Sequence, residues 1–429
     1  MNSTRRNFIK NVTGTSLGLI AAPIIITSCA KGANDKINLG MIGTGSHGIG
    51  WNMRNYLELD DCRIVALCDV DAHRMKKAKS VVNEKYNDRH VKLFDDFREM
   101  LERQDIDAIQ ISTPDHWHVY MTIAALKSGK HVCCEKPTLT IEQGRILVNE
   151  INKQNKLYQT SMEDRWLEPY YRMVKLVRDG KIGKLKKIRV GLPGDNNIQF
   201  SKDQTTQPVP KHFNYDMWLG PAPEAPYSPA RCHFNFRWNF DYSAGSITDW
   251  GAHLIDTAQL CNFAETSGPV SVEGKGVQPK EGIFNTFEKY RLNYLYENGV
   301  EMEVHGFSVE IYCEGTDGWL HVKGWNKDLE ASNEELLKIA KGEEIRAVRD
   351  LNEHDNFLKC IKNGGIPLHP AEEMHRTATV AHIGNAAMLL ERKLQWNPQI
   401  EAFINDDEAN SMRSKPERHP WTLENLINS

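Results

Sequence analysis

The chain is 429 residues long, 40% apolar and 26% charged, with a formal net charge of −4. That is enough chain for two or three domains around a sizeable core, and too apolar for a disordered one. The absence of any long basic run argues against nucleic acid as the main partner, and no apolar stretch after residue 40 is long enough to cross a bilayer.

Residues 1–29 stand apart. Arg5-Arg6 precedes Asn7-Phe8-Ile9-Lys10 and a mostly apolar segment from Val12 to Ile26. This is a charged region followed by a short hydrophobic one, so it is set aside from the fold. "STRRNFIK" resembles a twin-arginine export signal, and "ITSC" resembles the lipobox at which bacterial lipoproteins are acylated, here on Cys29. An uncleaved hydrophobic anchor is the plainer alternative. The export reading puts the mature protein in the periplasm or on a membrane, held there by lipid alone. Of the nine cysteines, none has C-x-x-C spacing, so a zinc knuckle or redox motif is not expected. Cys68, Cys133 and Cys134 lie in apolar runs and read as small buried hydrophobes. A Cys232–Cys261 bridge is open in an oxidising compartment.

After a linker at 30–35, strands alternate with helices of ten to fifteen residues. "KINLGMIG", "CRIVALCD", "IDAIQIST" and "KHVCCEK" read as strands. "AHRMKKAKSVVNEKY", "HVYMTIAALKSG" and "TIEQGRILVNEINKQN" read as helices. This is the grammar of βαβ units and a parallel sheet, placed at 36–158. The second domain, 159–400, opens with "KLKKIRVGLPG" and a Pro- and aromatic-rich loop to about Ser243. A helix over about 248–261 follows, then strand-like runs with turn signals such as "ENG" and "TDG", and late helices. These predict an α+β domain with a large, mostly antiparallel open sheet. Residues 401–429 form a polar tail with one "HPW" anchor, expected along the surface.

Gly43-Thr44-Gly45-Ser46-His47-Gly48 is a G-x-G-x-x-G between an apolar strand and a helix. Gly43 would make the tight turn, Gly45 admit a pyrophosphate to the backbone, and Gly48 let helix and strand pack closely. Asp69 ends the next strand, where an acid accepts hydrogen bonds from a ribose. Asp69 and Asp71 would repel a 2′-phosphate, which favours NAD over NADP, although Arg74 could serve NADP. Lys136, before a proline, lies at the end of the strand "KHVC", the edge where open α/β sheets bind ligands; a solvated turn lysine is the alternative. Asp249 and His253, four apart, project from one helix face, either to handle a proton or as a satisfied core histidine and its neighbour.

Together "GMIGTGSHG", "ISTPDHWH", "GKHVCCEKP" and "GSITDWGAHLIDTAQ" resemble the Gfo/Idh/MocA family of oxidoreductases over roughly residues 36–400. The resemblance implies a Rossmann domain, a second domain whose open sheet often mediates dimers or tetramers, and a substrate cleft between the two. Carried over by position, Lys136 is the motif lysine, Asp249 the substrate-binding acid, His253 the acid/base and His118 the loop histidine. His116 and Trp117 are additions of this chain. Cofactor contacts are implied for Gly43, Thr44, Gly45, Ser46, His47, Gly48, Asp69, Thr113, Pro114, His118, Glu135 and Lys136. Substrate contacts are expected from Lys136, Arg165, His233, Arg237, Trp238, Asp249 and His253. "DNNIQF" and "RCHFNFRWNFDYSAG" look like an exported subgroup.

The implied reaction is oxidation or reduction of a secondary hydroxyl of a sugar or glycoside with NAD. His253 would be the base, Lys136 would stabilise the alkoxide, and Asp249 would orient a hydroxyl or the imidazole. Between Trp218 and Trp250 lie Tyr227, His233, Phe234, Phe236, Arg237, Trp238, Phe240 and Tyr242. Aromatic faces mixed with polar groups suit a sugar ring; ordinary core aromatics are the alternative. His116-x-His118, His212 and His233 look too scattered for a metal site, and none is expected. Little free NAD is available outside the cytoplasm, so the cofactor would be retained and recycled. Two alternatives remain: redox-neutral glycoside cleavage through a keto sugar, as in NAD-dependent glycosidases of similar fold, and a non-catalytic carbohydrate-binding lipoprotein.

Overall fold

The computed structural model describes residues 36–194, 203–338 and 352–428. The Arg5-Arg6 signal, Cys29 and "DNNIQF" (195–200) lie outside the described residues.

The first half builds a parallel sheet from β1 (Ile37–Ile42), β2 (Cys62–Cys68), β3 (Lys92–Phe94), β4 (Ala108–Ile111), β5 (His131–Glu135) and β6 (Tyr158–Ser161). Its strand order is β3-β2-β1-β4-β5-β6, all parallel. Reversal of that order between β1 and β4 opens a crevice at the carboxyl ends of the strands, the usual dinucleotide position. The sequence reading closes this domain at 158. Tyr158–Ser161 nevertheless pairs with β5, because its four residues are all buried and need a ladder partner.

Local chemistry sets the helices. Helix 72–86 starts where the Asp71 carboxylate caps the His73 and Arg74 N–H groups, and it ends at Asn87 in the left-handed region. Both faces of the sheet are covered. One face packs helix Asp115–Lys127 and, from the tail, Trp421 and Leu423. The other packs helix 72–86 together with Phe357 and Leu358 of helix Glu353–Asn363. Segments late in the sequence therefore complete the first domain's core. The "HPW" anchor is real: Trp421 is buried edge-on against Trp117 and Tyr120.

The second sheet has nine strands: β7 (Leu185–Leu192), β8 (Ser271–Val277), β9 (Lys289–Leu295), β10 (Glu301–Gly306), β11 (Glu310–Gly315), β12 (Trp319–Lys323), β13 (Leu329–Ala331), β14 (Leu394–Asn397) and β15 (Ala402–Phe403). It is mixed, since β7 and β10 run parallel and the other pairs antiparallel. In β9 burial alternates residue by residue, with Tyr290, Leu292 and Tyr294 inward. One sheet face is thus covered, by helices Glu168–Arg178, Gly251–Cys261 and Ala371–Leu390, and the other is open. The eight cysteines of the described residues are buried free thiols, so the Cys232–Cys261 bridge is absent; the two belong to different cores. Among the described residues no helix is long and apolar enough to cross a membrane.

Candidate active site

The carboxyl ends of the first sheet's strands and the second domain's loops enclose one cavity of about 530 Å³. At one end is the glycine loop. Gly43 has φ +90°, and a Cβ there would lie 2.4 Å from the Ser112 carbonyl oxygen; a Cβ on Gly48 would lie 2.5 Å from the Gly43 carbonyl oxygen. Both positions therefore require glycine to let the strand, turn and helix close. A Cβ on Gly45 would meet only Arg74, at 3.8 Å, which leaves that backbone open to the cavity. The helical run that follows points its N-terminus at the same space, as phosphate binding requires.

Asp69 lines the cavity just beyond β2. Its carboxylate accepts from Thr44 N (2.6 Å), Thr44 Oγ1 (2.7 Å) and Asp71 N (2.9 Å). Burial raises its pKa, and these hydrogen bonds oppose the rise. Thr44, expected at the cofactor, is fully buried and off the cavity wall; its hydroxyl and amide are spent on fixing Asp69. Ser46, His47, Thr113, Pro114 and His118 all line the cavity. The His118 ring spans two loops, one nitrogen 2.8 Å from the Pro137 carbonyl and the other 2.9 Å from that of Thr113. Its task is to clamp the loops that carry the site. His116, buried against the Trp218 carbonyl, anchors the second domain instead.

At the other end the charged groups interlock. Glu135 lies 3.1 Å from His47 and accepts from Asn52 at 2.8 Å. Burial pushes this carboxyl up, but His47, Lys136 and Asn52 outweigh it and hold it at about 2. The Glu135 charge in turn raises His47. Lys136 donates to the Asp249 carbonyl (2.7 Å) and carboxylate (2.8 Å). Burial lowers its pKa, yet Asp249 and Glu135 carry it above the ordinary lysine value. Asp249 also receives Arg237 Nε at 3.1 Å; despite burial, Arg237 and Lys136 hold it well below the usual carboxylate range. Each Asp249 oxygen faces a cation, and among the described residues Asp249 makes no hydrogen bond to His253. His253 is held neutral by burial and by the Lys136 charge. Its Nδ1 faces Asp164 at 3.5 Å and Glu163 at 4.0 Å.

Two expected substrate contacts are elsewhere. Arg165 makes a two-pronged ion pair with Asp256 (2.7 Å each) and pairs with Glu373, off the cavity wall, so it braces the fold behind His253. Trp238 is buried among Ala230 and Phe284. Tyr227 and Tyr242 are core aromatics as well. His233, Phe234, Phe236, Arg237, Trp218 and Trp250 do line the cavity. Missed by sequence were Glu163, which sits in the cavity wall, and Trp325, whose ring meets that of His253 edge-on at 5.0 Å. Glu163 lies two residues beyond the end of β6, at the binding edge, which was the one local signal. His212, scattered in sequence, stacks on His73 beside Asp71, with one ligand-type atom of each within 4.8 Å of the others. The Arg74 guanidinium, 3.5 Å from the Asp71 carboxylate, opposes a cation there.

The family model for an oxidoreductase NAD-binding Rossmann fold matches residues 37–162, and that for the oxidoreductase C-terminal alpha/beta domain matches 169–423. The chain belongs to the Gfo/Idh/MocA oxidoreductase family. Among solved structures, the chain resembles an aldose-aldose oxidoreductase from Caulobacter crescentus (TM-score 0.61, 17% identity, covering 84% of this chain and 100% of that one). It also resembles the WlbA dehydrogenase from Bordetella pertussis in complex with NADH and UDP-GlcNAcA (TM-score 0.63, 15% identity, 85% and 99%). At these identities the likeness is one of fold. Among curated relatives, a glycosyl hydrolase family 109 protein of Shewanella sp. (strain MR-4) is 28% identical over 205 residues, and an alpha-N-acetylgalactosaminidase of Shewanella oneidensis is 27% identical over 205. Each match covers 43% of this chain and 44% of the relative, so the chain spans less than half the length of the relatives it matches.

Proposed function

We propose that the protein oxidises or reduces a secondary hydroxyl of a sugar or glycoside with NAD that it retains and recycles. The single observation carrying this reading is the continuous cavity, with the glycine loop and Asp69 at one end and Lys136, Asp249, Arg237 and His253 at the other. The open Gly45 backbone and the adjoining helix N-terminus fit a pyrophosphate. When bound, nicotinamide supplies the hydride acceptor or donor. NAD is favoured over NADP because a 2′-phosphate would meet the Asp69 carboxylate; Arg74, in the same wall, is the group that could hold one.

The chain's own residues do the rest. His253, kept neutral, takes the hydroxyl proton. Lys136 spends two of its three N–H donors on Asp249; the third remains for the developing alkoxide. Asp249 and Arg237 form a polar rim, and Phe234, Phe236, Trp250 and Trp325 supply apolar faces for the ring. The proposal extends to export through the Arg5-Arg6 signal with lipid on Cys29, and to homo-oligomers formed through the open sheet face.

A second reading, glycoside cleavage through a keto sugar, is favoured by the relatives named glycosyl hydrolase family 109 and by Glu163. Burial raises this carboxyl in the cavity wall, as a group protonating a leaving oxygen requires.

Denaturing the purified protein should release a nicotinamide dinucleotide into the supernatant, and adding sugar to the native protein should change the absorbance of reduced nicotinamide. Release of no nucleotide would leave only a carbohydrate-binding module. Free sugar liberated from methyl glycosides would select the second reading.

A further inference from the structure

Behind His253 lies a set of buried polar groups that the reaction above does not use. Asp164, in the turn Asp164–Trp166, and His369 are both fully buried. Asp164 Oδ1 lies 3.5 Å from His253 Nδ1 and 3.8 Å from His369 Nε2. Both Asp164 oxygens, both His369 nitrogens and His253 Nδ1 lack a partner at strict hydrogen-bond geometry. Five such atoms in one place demand an explanation, because buried polar groups are normally satisfied. The backbone is fixed: the His369 carbonyl accepts from Thr160 of β6, and the Asp164 carbonyl accepts from Leu167.

Proton accounting addresses three of them, the Asp164 oxygens and His253 Nδ1. Asp256 is the acidic neighbour whose charge acts on Asp164. Asp256 is itself gripped by the Arg165 fork and by Thr377 Oγ1 at 3.1 Å. Burial and then Asp256 push Asp164 well above the ordinary carboxyl range, which favours its protonated form. A protonated carboxyl has one hydroxyl to donate and one carbonyl-type oxygen to accept. Protonated or not, Asp164 offers an acceptor to the nitrogen that its Oδ1 faces at 3.5 Å, His253 Nδ1, and so favours hydrogen on that nitrogen. An imidazole with its hydrogen on Nδ1 has a lone pair on Nε2, the nitrogen left for the cavity.

We infer that Asp164, backed by His369, is the positioning residue that fixes the tautomer of His253 so that Nε2 is the base. The inference rests on the reading of His253 as that base. In the step it supports, the sugar O–H bond breaks, its proton goes to Nε2, and its electron pair stays on the sugar oxygen. The charge gained by the ring is then stabilised through Nδ1–H on Asp164. Asp249, the acid at helical spacing from His253, is hydrogen-bonded to Lys136 and Arg237 and not to His253.

The test uses the protein as purified, labelled with 15N-histidine, the His253 ring signals being those lost in His253→Asn. The wild type should carry hydrogen on Nδ1; hydrogen on Nε2 overturns the inference. Asp164→Asn, which keeps both an acceptor oxygen and a donor, should retain the tautomer and turn over within about 5-fold of wild type. Asp164→Leu should shift hydrogen to Nε2 and lower kcat by roughly 10²–10⁴-fold with KM within about 2-fold. An Asp164→Asn variant as inactive as Asp164→Leu would mean that an acceptor oxygen beside Nδ1 does not suffice, and would overturn the inference. The resonances are read without substrate, so a wild type that turns over no sugar removes the functional reading while the tautomer still decides this one.

Discussion

Lys136 is held between two acids, and that arrangement determines what its loss would do. Glu135 and Asp249 keep the ammonium charged despite burial, and Asp249 fixes its direction through two hydrogen bonds. Lys136→Met removes the charge but leaves the glycine loop and Asp69 in place. Bound nucleotide, measured after denaturation, should be unchanged. The single-turnover rate of nicotinamide reduction should fall on the order of 10²–10³-fold, the usual cost of one donor aimed at developing charge. Loss of nucleotide together with activity would place Lys136 at the cofactor alone.

At the scale of elements, helix Glu353–Asn363 pins the second half of the chain to the first. Its first residue, Glu353, is fully buried and accepts from Trp51 Nε1 (2.9 Å) and Trp166 Nε1 (2.6 Å). Burial, with the nearby Glu163 charge, raises this carboxyl from 4.5 to about 8. Between those values the folded protein holds a proton that the unfolded chain has released. Stability should therefore fall as pH rises, by about 1.4 kcal/mol per pH unit for this group, and the contribution levels off above the folded value. Urea unfolding of wild type and Glu353→Gln across that range checks this. The variant's slope should be flatter by one proton, whatever its stability at any single pH; equal slopes would refute the assignment.

At the scale of the molecule, the cavity wall draws on both domains, from the glycine loop of the first to Arg237 and Trp325 of the second. A cofactor that fills it binds the folded chain alone. Stripping the nucleotide should therefore lower the midpoint of thermal unfolding, and restoring NAD at about 1,000 times its Kd should return about 4 kcal/mol; an unchanged midpoint would contradict tight retention. The parts of this organisation that depend on local spacing were legible in the sequence. Gly43, Gly45, Gly48 and Asp69 act through the geometry of one strand–turn–helix, and Asp249 and His253 through one helix face. The sequence by itself thus determined the dinucleotide domain, the character of the second sheet and the core of the candidate site. It placed Thr44, Arg165 and Trp238 at the cavity, whose wall does not include them, and gave no role to Asp164, Glu163 or His369, because which side chains meet at a site is settled by packing between segments far apart in the chain. Only the tertiary structure decided that Asp249 serves Lys136 and Arg237 while Asp164 stands behind His253: a carboxylate pairs with the charge that folding brings nearest, not the one nearest in sequence.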